Sequence, residues 1–424
     1  MSLAAAMGAG SLAGCSGGSG GGSGGGSDKI TVWSDAFDSQ TPKLKKLMSD
    51  SVDMKVGFSD MRYDSIKKKY LTGAKTGTPD IVEATPNHRG DYVSAELIEP
   101  LTDRVDKLDY KDGYTGLDTM KYNGDIWALP YIGNGRGFVY RQDILKKYGF
   151  DVPDKWSDFV EMGAEITKKE DGMHGFTLTS QKGNTRGLQE FLSFLFQRVD
   201  TIFEPDGDEW KLVPTAEDFG IVFKEYFWDP FYKTDKPATD PNARGIDSLA
   251  HDIAYVNGNY AAISTGPWIP GLASGSDDTN KQAMKNYRNS VATHNPRVEG
   301  GEKGTYMEVK PVFLNKNSKS KGDAWKVVKA ATSPEGIKTF LEEDPGNLPA
   351  HEDVEWKVPE QTNNPDWKGF KEVFKTGKSY GFWSVSKVST TWFDLSQKVM
   401  YNDIDPMKAG KQLHEEWSSK AGEI

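Results

Sequence analysis

The sequence predicts an α/β protein built as two lobes. Short β-rich segments alternate with stretches of helical apolar periodicity. A chain of 424 residues exceeds one ordinary domain and points to two or three, and two lobes fit that length. Hydrophobic residues at 36% and charged residues at 27% are enough to bury real cores, and no apolar run has the length of a membrane-spanning helix.

The folded body is expected to begin near Asp28, where Ile30-Thr31-Val32-Trp33 reads as a buried strand. Leu44, Leu47 and Met48 follow at helical spacing. Val52, Met54, Val56 and Phe58 alternate as a strand, and Asp80-Ile81-Val82-Glu83-Ala84 is another after a turn. Trp156, Phe159, Val160 and Gly163 mark a helix. Leu188, Phe191, Leu192, Leu195, Phe196 and Val199 mark a second, whose apolar stripe belongs in a core. Between Phe203 and Val213, Asp206-Gly207 reads as a hairpin turn; Asp206 and Asp208 lack the spacing of a calcium loop. Ala324, Val327, Val328 and Ala331 share one helical face, and Ser333-Pro334 caps the next helix, continued by Ile337, Phe340 and Leu341. No repeat of fixed period is present, which argues against a solenoid or propeller.

A net charge of −10 with no dense Lys/Arg stripe excludes a nucleic-acid partner. Aromatics at 12% supply core and also suit a cleft that stacks on flat ligand faces. The one cysteine, Cys15, permits no internal disulfide and no thiolate metal site, and the six His are dispersed, so neither metal nor cofactor is expected. Leu12-Ala13-Gly14-Cys15 resembles the lipobox at which a signal peptide is cut and the new N-terminal cysteine acylated, although nothing basic precedes it. Residues 1–15 therefore read as signal peptide and lipobox with Cys15 as the lipidation site, and residues 16–27 as a flexible Gly/Ser tether. Gly17 to Gly21 matches G-x-S-x-G but lacks the strand-to-helix setting of a hydrolase elbow.

Further landmarks come in a characteristic order. They are Trp33; Gly77-Thr78-Pro79-Asp80-Ile81-Val82; Leu97-Ile98-Glu99-Pro100-Leu101; Tyr122-Asn123-Gly124-Asp125-Ile126-Trp127-Ala128-Leu129-Pro130; Phe138-Val139-Tyr140-Arg141; Tyr148-Gly149-Phe150 before Trp156; Asn257-Gly258-Asn259-Tyr260; Gly266-Pro267-Trp268; and Phe382-Trp383. This succession, over nearly the whole chain, resembles the family 1 extracellular solute-binding proteins of ABC transporters. The resemblance implies a periplasmic-binding-protein-like fold of two α/β lobes joined by crossing hinge segments, with the ligand in the cleft between them. By that resemblance one lobe takes residues 28–133 and 290–318, the other 134–289 and 319–424. Gly133, Gly135 and Gly137 fall at the first crossing, either as permissive hinge backbone or as a close-packed strand. The implied function is capture of a sugar or oligosaccharide and delivery to an ABC permease, by a monomer lipid-anchored on the outer face of the cell membrane and without enzymatic turnover.

The resemblance also carries over a site. Trp268 and Trp383 match positions that stack on sugar, and Asp35, Asn87, His88, Asn134 and Glu190 match polar ligand positions at element ends, with Arg89 an alternative to His88. Each polar residue also reads as a solvated loop or a cap. Ala84 stands where a sugar-binding relative carries a stacking Trp, and Asn87 and Asn134 replace carboxylates, so the preferred sugar is expected to differ. Two rival readings stand beside this one. A non-sugar solute is the first: a polyamine, an iron complex, or an organic phosphate met by Arg136 and Arg89. The second is a secreted glycoside hydrolase using Asp35 and Glu190, for which the chain supplies no nucleophile with an identifiable base.

Overall fold

The computed structural model describes residues 29–37, 41–61, 63–207, 209–273, 278–356 and 364–423; Cys15 and the Gly/Ser tether lie outside them. The expected α/β alternation is present. Ile30 to Trp33 lie in the strand Lys29–Ser34, Val56 and Phe58 in Lys55–Asp60, and Ile81 to Glu83 in a third strand. These three pair in parallel, with helices Pro42–Asp50 and Tyr63–Gly73 between them. Beyond Ile81–Glu83 the sheet turns antiparallel through Thr305–Leu314, Leu129–Gly135 and Leu348–Pro349, and Gly377–Lys378 joins the start of Thr305–Leu314. Among the described residues this larger sheet has seven strands.

A second sheet of four strands runs Ser290–Thr293, Gly137–Arg141, Tyr260–Thr265 and His174–Thr177. Leu129–Gly135 and Gly137–Arg141 are buried throughout, polar Asn134 and Arg141 included. Each sheet has its own core, with Val32, Ile81, Val312 and Phe313 in one and Phe138, Trp156, Phe176 and Leu192 in the other, and a third cluster of Val139, Ile263, Trp367 and Phe370 also packs on the smaller sheet. The hairpin at Asp206-Gly207 forms as expected, pairing Phe203–Asp206 with Glu209–Leu212. Ser333 caps the helix Pro334–Glu343, its hydroxyl accepting from the Gly336 N–H at 3.1 Å.

Two segments lie elsewhere than expected. Ser290–Thr293 pairs with Gly137–Arg141 in the smaller sheet, and the helices Lys321–Thr332 and Pro334–Glu343 set Val327, Val328, Ile337 and Phe340 into the core of the larger one. The apolar face of a helix says that it is buried, not against which sheet. Only the non-local pairing of Thr305–Leu314 brings the following helices back to the larger sheet.

The chain first crosses between sheets at Gly135-Arg136-Gly137. Neither glycine has a positive φ, so close packing rather than permissive backbone explains them. A Cβ on Gly135 would lie 2.5 Å from the Tyr306 carbonyl oxygen, and one on Gly137 2.8 Å from the Phe370 ring.

Candidate functional site

On the side of the larger sheet, the site is built from strand ends. Asp35 follows the strand Lys29–Ser34, and both its carboxylate oxygens lie 3.3 Å from Lys310 Nζ. Burial alone would raise the Asp35 carboxyl; Lys310 foremost, together with hydrogen bonding to Glu83, more than offsets this and holds it below its ordinary range. Behind it Glu83, fully buried, accepts from Ser34 Oγ at 2.8 Å, Tyr131 Oη at 2.9 Å and the Asp35 N–H at 3.1 Å. Burial and the neighbouring Asp35 charge push the Glu83 carboxyl well above its ordinary value. Sequence reading passed over Glu83 because it lies inside an apolar strand; the only signal was a carboxylate in an otherwise buried run.

Asn87 and His88 sit in the short turn Pro86–His88 and line a cavity of about 160 Å³ with Lys67. Opposite them are Thr185 and Leu188 of the helix Thr185–Leu195, and Ser386, Ser389 and Phe393 of the helix Val385–Met400. The cavity therefore has one wall from each core. Burial, reinforced by Lys67, pulls the His88 imidazole down to about 3, so it is neutral at pH 7. Arg89 points elsewhere: its Nε donates to the Pro86 carbonyl at 3.1 Å and its guanidinium to the carbonyls of Thr119 and Tyr380.

Asn134 and Arg136 occupy the first crossing. Asn134 Nδ2 donates to Asn347 Oδ1 at 3.0 Å, while Asn134 Oδ1 and Arg136 Nε are buried with no hydrogen-bond partner among the described residues. Burying a polar atom unpaired costs about 1–3 kcal/mol. Arg136 donates to Gln189, which donates to Glu308 Oε2 at 3.3 Å, so the crossing is tied to the helix Thr185–Leu195 and the strand Thr305–Leu314.

Trp268 follows the strand Tyr260–Thr265 and is half-buried. Its ring folds back over Gly266, where a Cβ would meet it at 1.9 Å, and the Arg136 guanidinium lies 4.9 Å from the ring centroid. Gly346, in the loop leading to Leu348–Pro349 of the larger sheet, lies against it: a Cβ there would be 3.1 Å from Trp268 Cα. Trp268, Arg136, Asn134 and Asn347 thus meet at the seam between the sheets.

Two residues expected in the site are enclosed in the core. Glu190 is fully buried and accepts from the Thr179 N–H at 2.9 Å, Thr179 Oγ1 at 2.8 Å, Arg186 Nε at 3.0 Å and Tyr226 Oη. Four donors fill its acceptor sites, leaving none for a ligand. Trp383 is 1% exposed and packs on Phe203, Tyr380 and Trp417, at centroid distances of 5.0, 5.5 and 6.4 Å. Glu190 also sits too deep to act with Asp35 as a hydrolytic pair. Among the described residues no group of three or more His, Cys, Asp or Glu could hold a metal ion, and no helix is long and apolar enough to cross a membrane.

Among solved structures, maltose-bound MalE3 of T. maritima superposes with a TM-score of 0.75 at 19% identity, covering 92% of this chain and 98% of that one. The GacH receptor of Streptomyces glaucescens, described unliganded and with acarbose, gives 0.76 at 17% identity over 93% and 99%. These likenesses establish the two-lobe fold. A Brucella abortus protein named only as a binding protein is 23% identical over 333 residues, 77% of this chain and 75% of its own length. A lactose-binding protein of Rhizobium radiobacter is 22% identical over 303 residues, 67% and 61%. The model of the bacterial extracellular solute-binding proteins matches residues 38–338, and the chain belongs to that family, whose members bind solutes and are not enzymes.

Proposed function

We propose that the chain is the substrate-binding lipoprotein of an ABC importer, capturing a sugar or oligosaccharide between its lobes and delivering it to the permease. The observation that carries this reading is the seam at the first crossing. There a half-buried Trp268 ring lies 4.9 Å from the guanidinium of Arg136, whose Nε is buried without a hydrogen-bond partner among the described residues, and Asn134 Oδ1, two positions away in the same crossing, is a buried acceptor likewise without a partner among them. An aromatic plate beside such a pair suits a polyol, which offers C–H faces and hydroxyls that both donate and accept. Relatives named for multiple sugars, mannitol and lactose support the same class.

In this proposal the ligand-contacting residues are Trp268, Asn134, Arg136, Asn87, His88 and Asp35. Glu190 and Trp383 support the smaller lobe from within. The lobes are taken as residues 29–135 with 305–356, and 137–293 with 364–423, following the two sheets and their helices except that Gly377–Lys378 of the second lobe pairs back onto the larger sheet. Acylation of Cys15 anchors a monomer outside the membrane, and residues 16–27 tether it. One acyl chain holds only marginally, so the anchor carries more than one.

Thermal-shift screening of maltose, lactose, mannitol, spermidine and a sugar phosphate tests the ligand class. A sugar or polyol that binds only the folded state raises the melting temperature. A rise with spermidine or the phosphate alone overturns the sugar reading. A Cys15→Ser chain expressed in a bacterium should appear in the medium or periplasm; retention in the membrane fraction overturns the anchor.

A further inference from the structure

The Trp268 ring is held by buried groups whose hydrogen-bonding capacity is used up. Its indole N–H donates to Asp252 Oδ2 at 2.8 Å. The same carboxylate accepts from Arg186 Nη1 at 2.6 Å, Arg186 Nη2 at 2.8 Å and Thr265 Oγ1 at 2.9 Å. Four donors fill the roughly four lone-pair sites of a carboxylate.

Arg186 is saturated in the same way. Its Nε donates to Glu190 Oε1 at 3.0 Å, Nη1 also reaches the Ser248 carbonyl at 3.3 Å, and Nη2 the Ser264 carbonyl at 2.8 Å. With the two bonds to Asp252, all five N–H donors of the guanidinium are engaged. Both side chains are more than nine-tenths buried. Burial alone would raise the Asp252 carboxyl, but Arg186 holds it well below the usual range, so it stays an ionised acceptor. Neither residue has a group left to offer a ligand.

What they do hold is the cleft tryptophan. Arg186 lies on the helix Thr185–Leu195, Asp252 on the helix Ser248–Val256, and Thr265 ends the strand Tyr260–Thr265. Their bonds reference the indole plane to three rigid elements, although Trp268 itself lies in the turn after the strand. Gly266 lets the ring lie back, and the N–H bond to Asp252 fixes its remaining rotation.

Resting on the reading that Trp268 stacks the ligand, we propose that Asp252 is the positioning residue of Trp268 and that Arg186 holds Asp252 in place. Affinity then depends on both residues although neither touches the solute.

The full chain is compared with Trp268→Phe, Asp252→Asn, their double variant and Trp268→Ala. Trp268→Phe keeps an aromatic ring and removes the N–H. Asp252→Asn keeps the shape but leaves one acceptor oxygen, which the bidentate guanidinium takes. The first measurement needs no ligand: in the ¹⁵N–¹H spectrum of the indole groups, the Trp268 signal is identified by its loss in Trp268→Phe. In Asp252→Asn that signal should shift and exchange with solvent at least about tenfold faster. A signal that neither moves nor exchanges faster overturns the proposal.

The second measurement is titration with maltose. Trp268→Phe and Asp252→Asn should each bind at least about fivefold more weakly, and the double variant no more weakly than the worse single one. Multiplied losses in the double variant mean that Asp252 acts independently of the indole, and overturn the proposal. Should Asp252→Asn fail to fold, unweakened binding by Trp268→Phe still overturns it. If Trp268→Ala binds less well while Trp268→Phe and Asp252→Asn bind like the parent, positioning alone is wrong. If Trp268→Ala binds like the parent, the stacking reading is wrong and the proposal goes with it.

Discussion

Ser384 immediately precedes the helix Val385–Met400, yet its hydroxyl does not cap that helix; it donates to Asp91 Oδ1 at 2.6 Å. Asp91 also accepts from Ser386 Oγ at 3.3 Å and pairs with Lys67. Asp91 adjoins Tyr92 in the core of the larger sheet and Ser384 adjoins Val385 in the core of the smaller one, so this carboxylate joins the two lobes. A negative charge at a helix N-terminus is favourable in its own right.

Asp91→Ala should therefore weaken the contact between the lobes by about 1.5–3 kcal/mol, the range of a hydrogen bond to a charged group. Small-angle scattering of the unliganded variant should give a larger radius of gyration than the parent. Superimposable curves would show that the contact does not restrain the lobes.

Trp383→Ala and Trp268→Ala should separate cleanly. Trp383 is enclosed by Phe203, Tyr380 and Trp417, so its truncation should cost about 3–5 kcal/mol in denaturant unfolding. Half-buried Trp268 should lose much less stability but bind sugar at least about tenfold more weakly. Equal stability losses would remove the distinction.

Glu190→Ala should destabilise the smaller lobe by about 3–5 kcal/mol, because it leaves Arg186 short of a buried partner and Tyr226 Oη without its acceptor. Chemical unfolding measures this directly. Parent-like stability combined with lost sugar binding would return Glu190 to the ligand site.

At the crossing, Gly135→Ala should destabilise by about 1–3 kcal/mol, since its Cβ would lie 2.5 Å from the Tyr306 carbonyl oxygen and 2.9 Å from Met307 Cα. Gly133→Ala, whose nearest atom would be 3.8 Å away, should be tolerated. A lower melting temperature for Gly135→Ala than for Gly133→Ala checks that close packing selects Gly135; equal values would overturn it.

His88 adds an acid sensitivity of known sign. Burial depresses its folded pKa from 6.5 to about 3, so between those values the unfolded chain binds the extra proton. Its contribution is present above pH 6.5 and is lost as pH falls towards 3. His88→Gln should flatten the fall in stability over that window, measured by urea unfolding at several pH values. An unchanged acid limb would show that His88 is not the group responsible.

Local order was legible in the residues. The Ser333-Pro334 cap lies where its pattern implied, and the alternation and the helical stripe do so in part: Val56 and Phe58 lie in a strand while Val52 and Met54 precede it, and the stripe is helical from Leu188 to Leu195 with Phe196 and Val199 beyond the helix; all three reflect interactions within a few positions. The site was legible only in part. Asn87 and His88, which the family resemblance offered as ligand positions, line the cavity between the two walls. Glu190 carried the right chemistry, but nothing in its neighbourhood told that Thr179 and Tyr226 would fill its acceptor sites.

The sequence by itself determined the α/β class, the two-lobe organisation and the order of landmarks that mark the family, because periodicity, turn chemistry and composition act locally along the chain. Tertiary structure decided what depends on partners far away in sequence. It placed Ser290–Thr293 in the smaller sheet and Lys321–Glu343 against the larger one, since strand pairing is a non-local choice between similar apolar faces. It also separated Trp268 from Trp383: one indole stays partly exposed at the seam with Asp252 on its N–H, while the other is closed over by Phe203 and Trp417. Two tryptophans of equal chemistry take different roles because burial is a property of the surroundings and not of the residue.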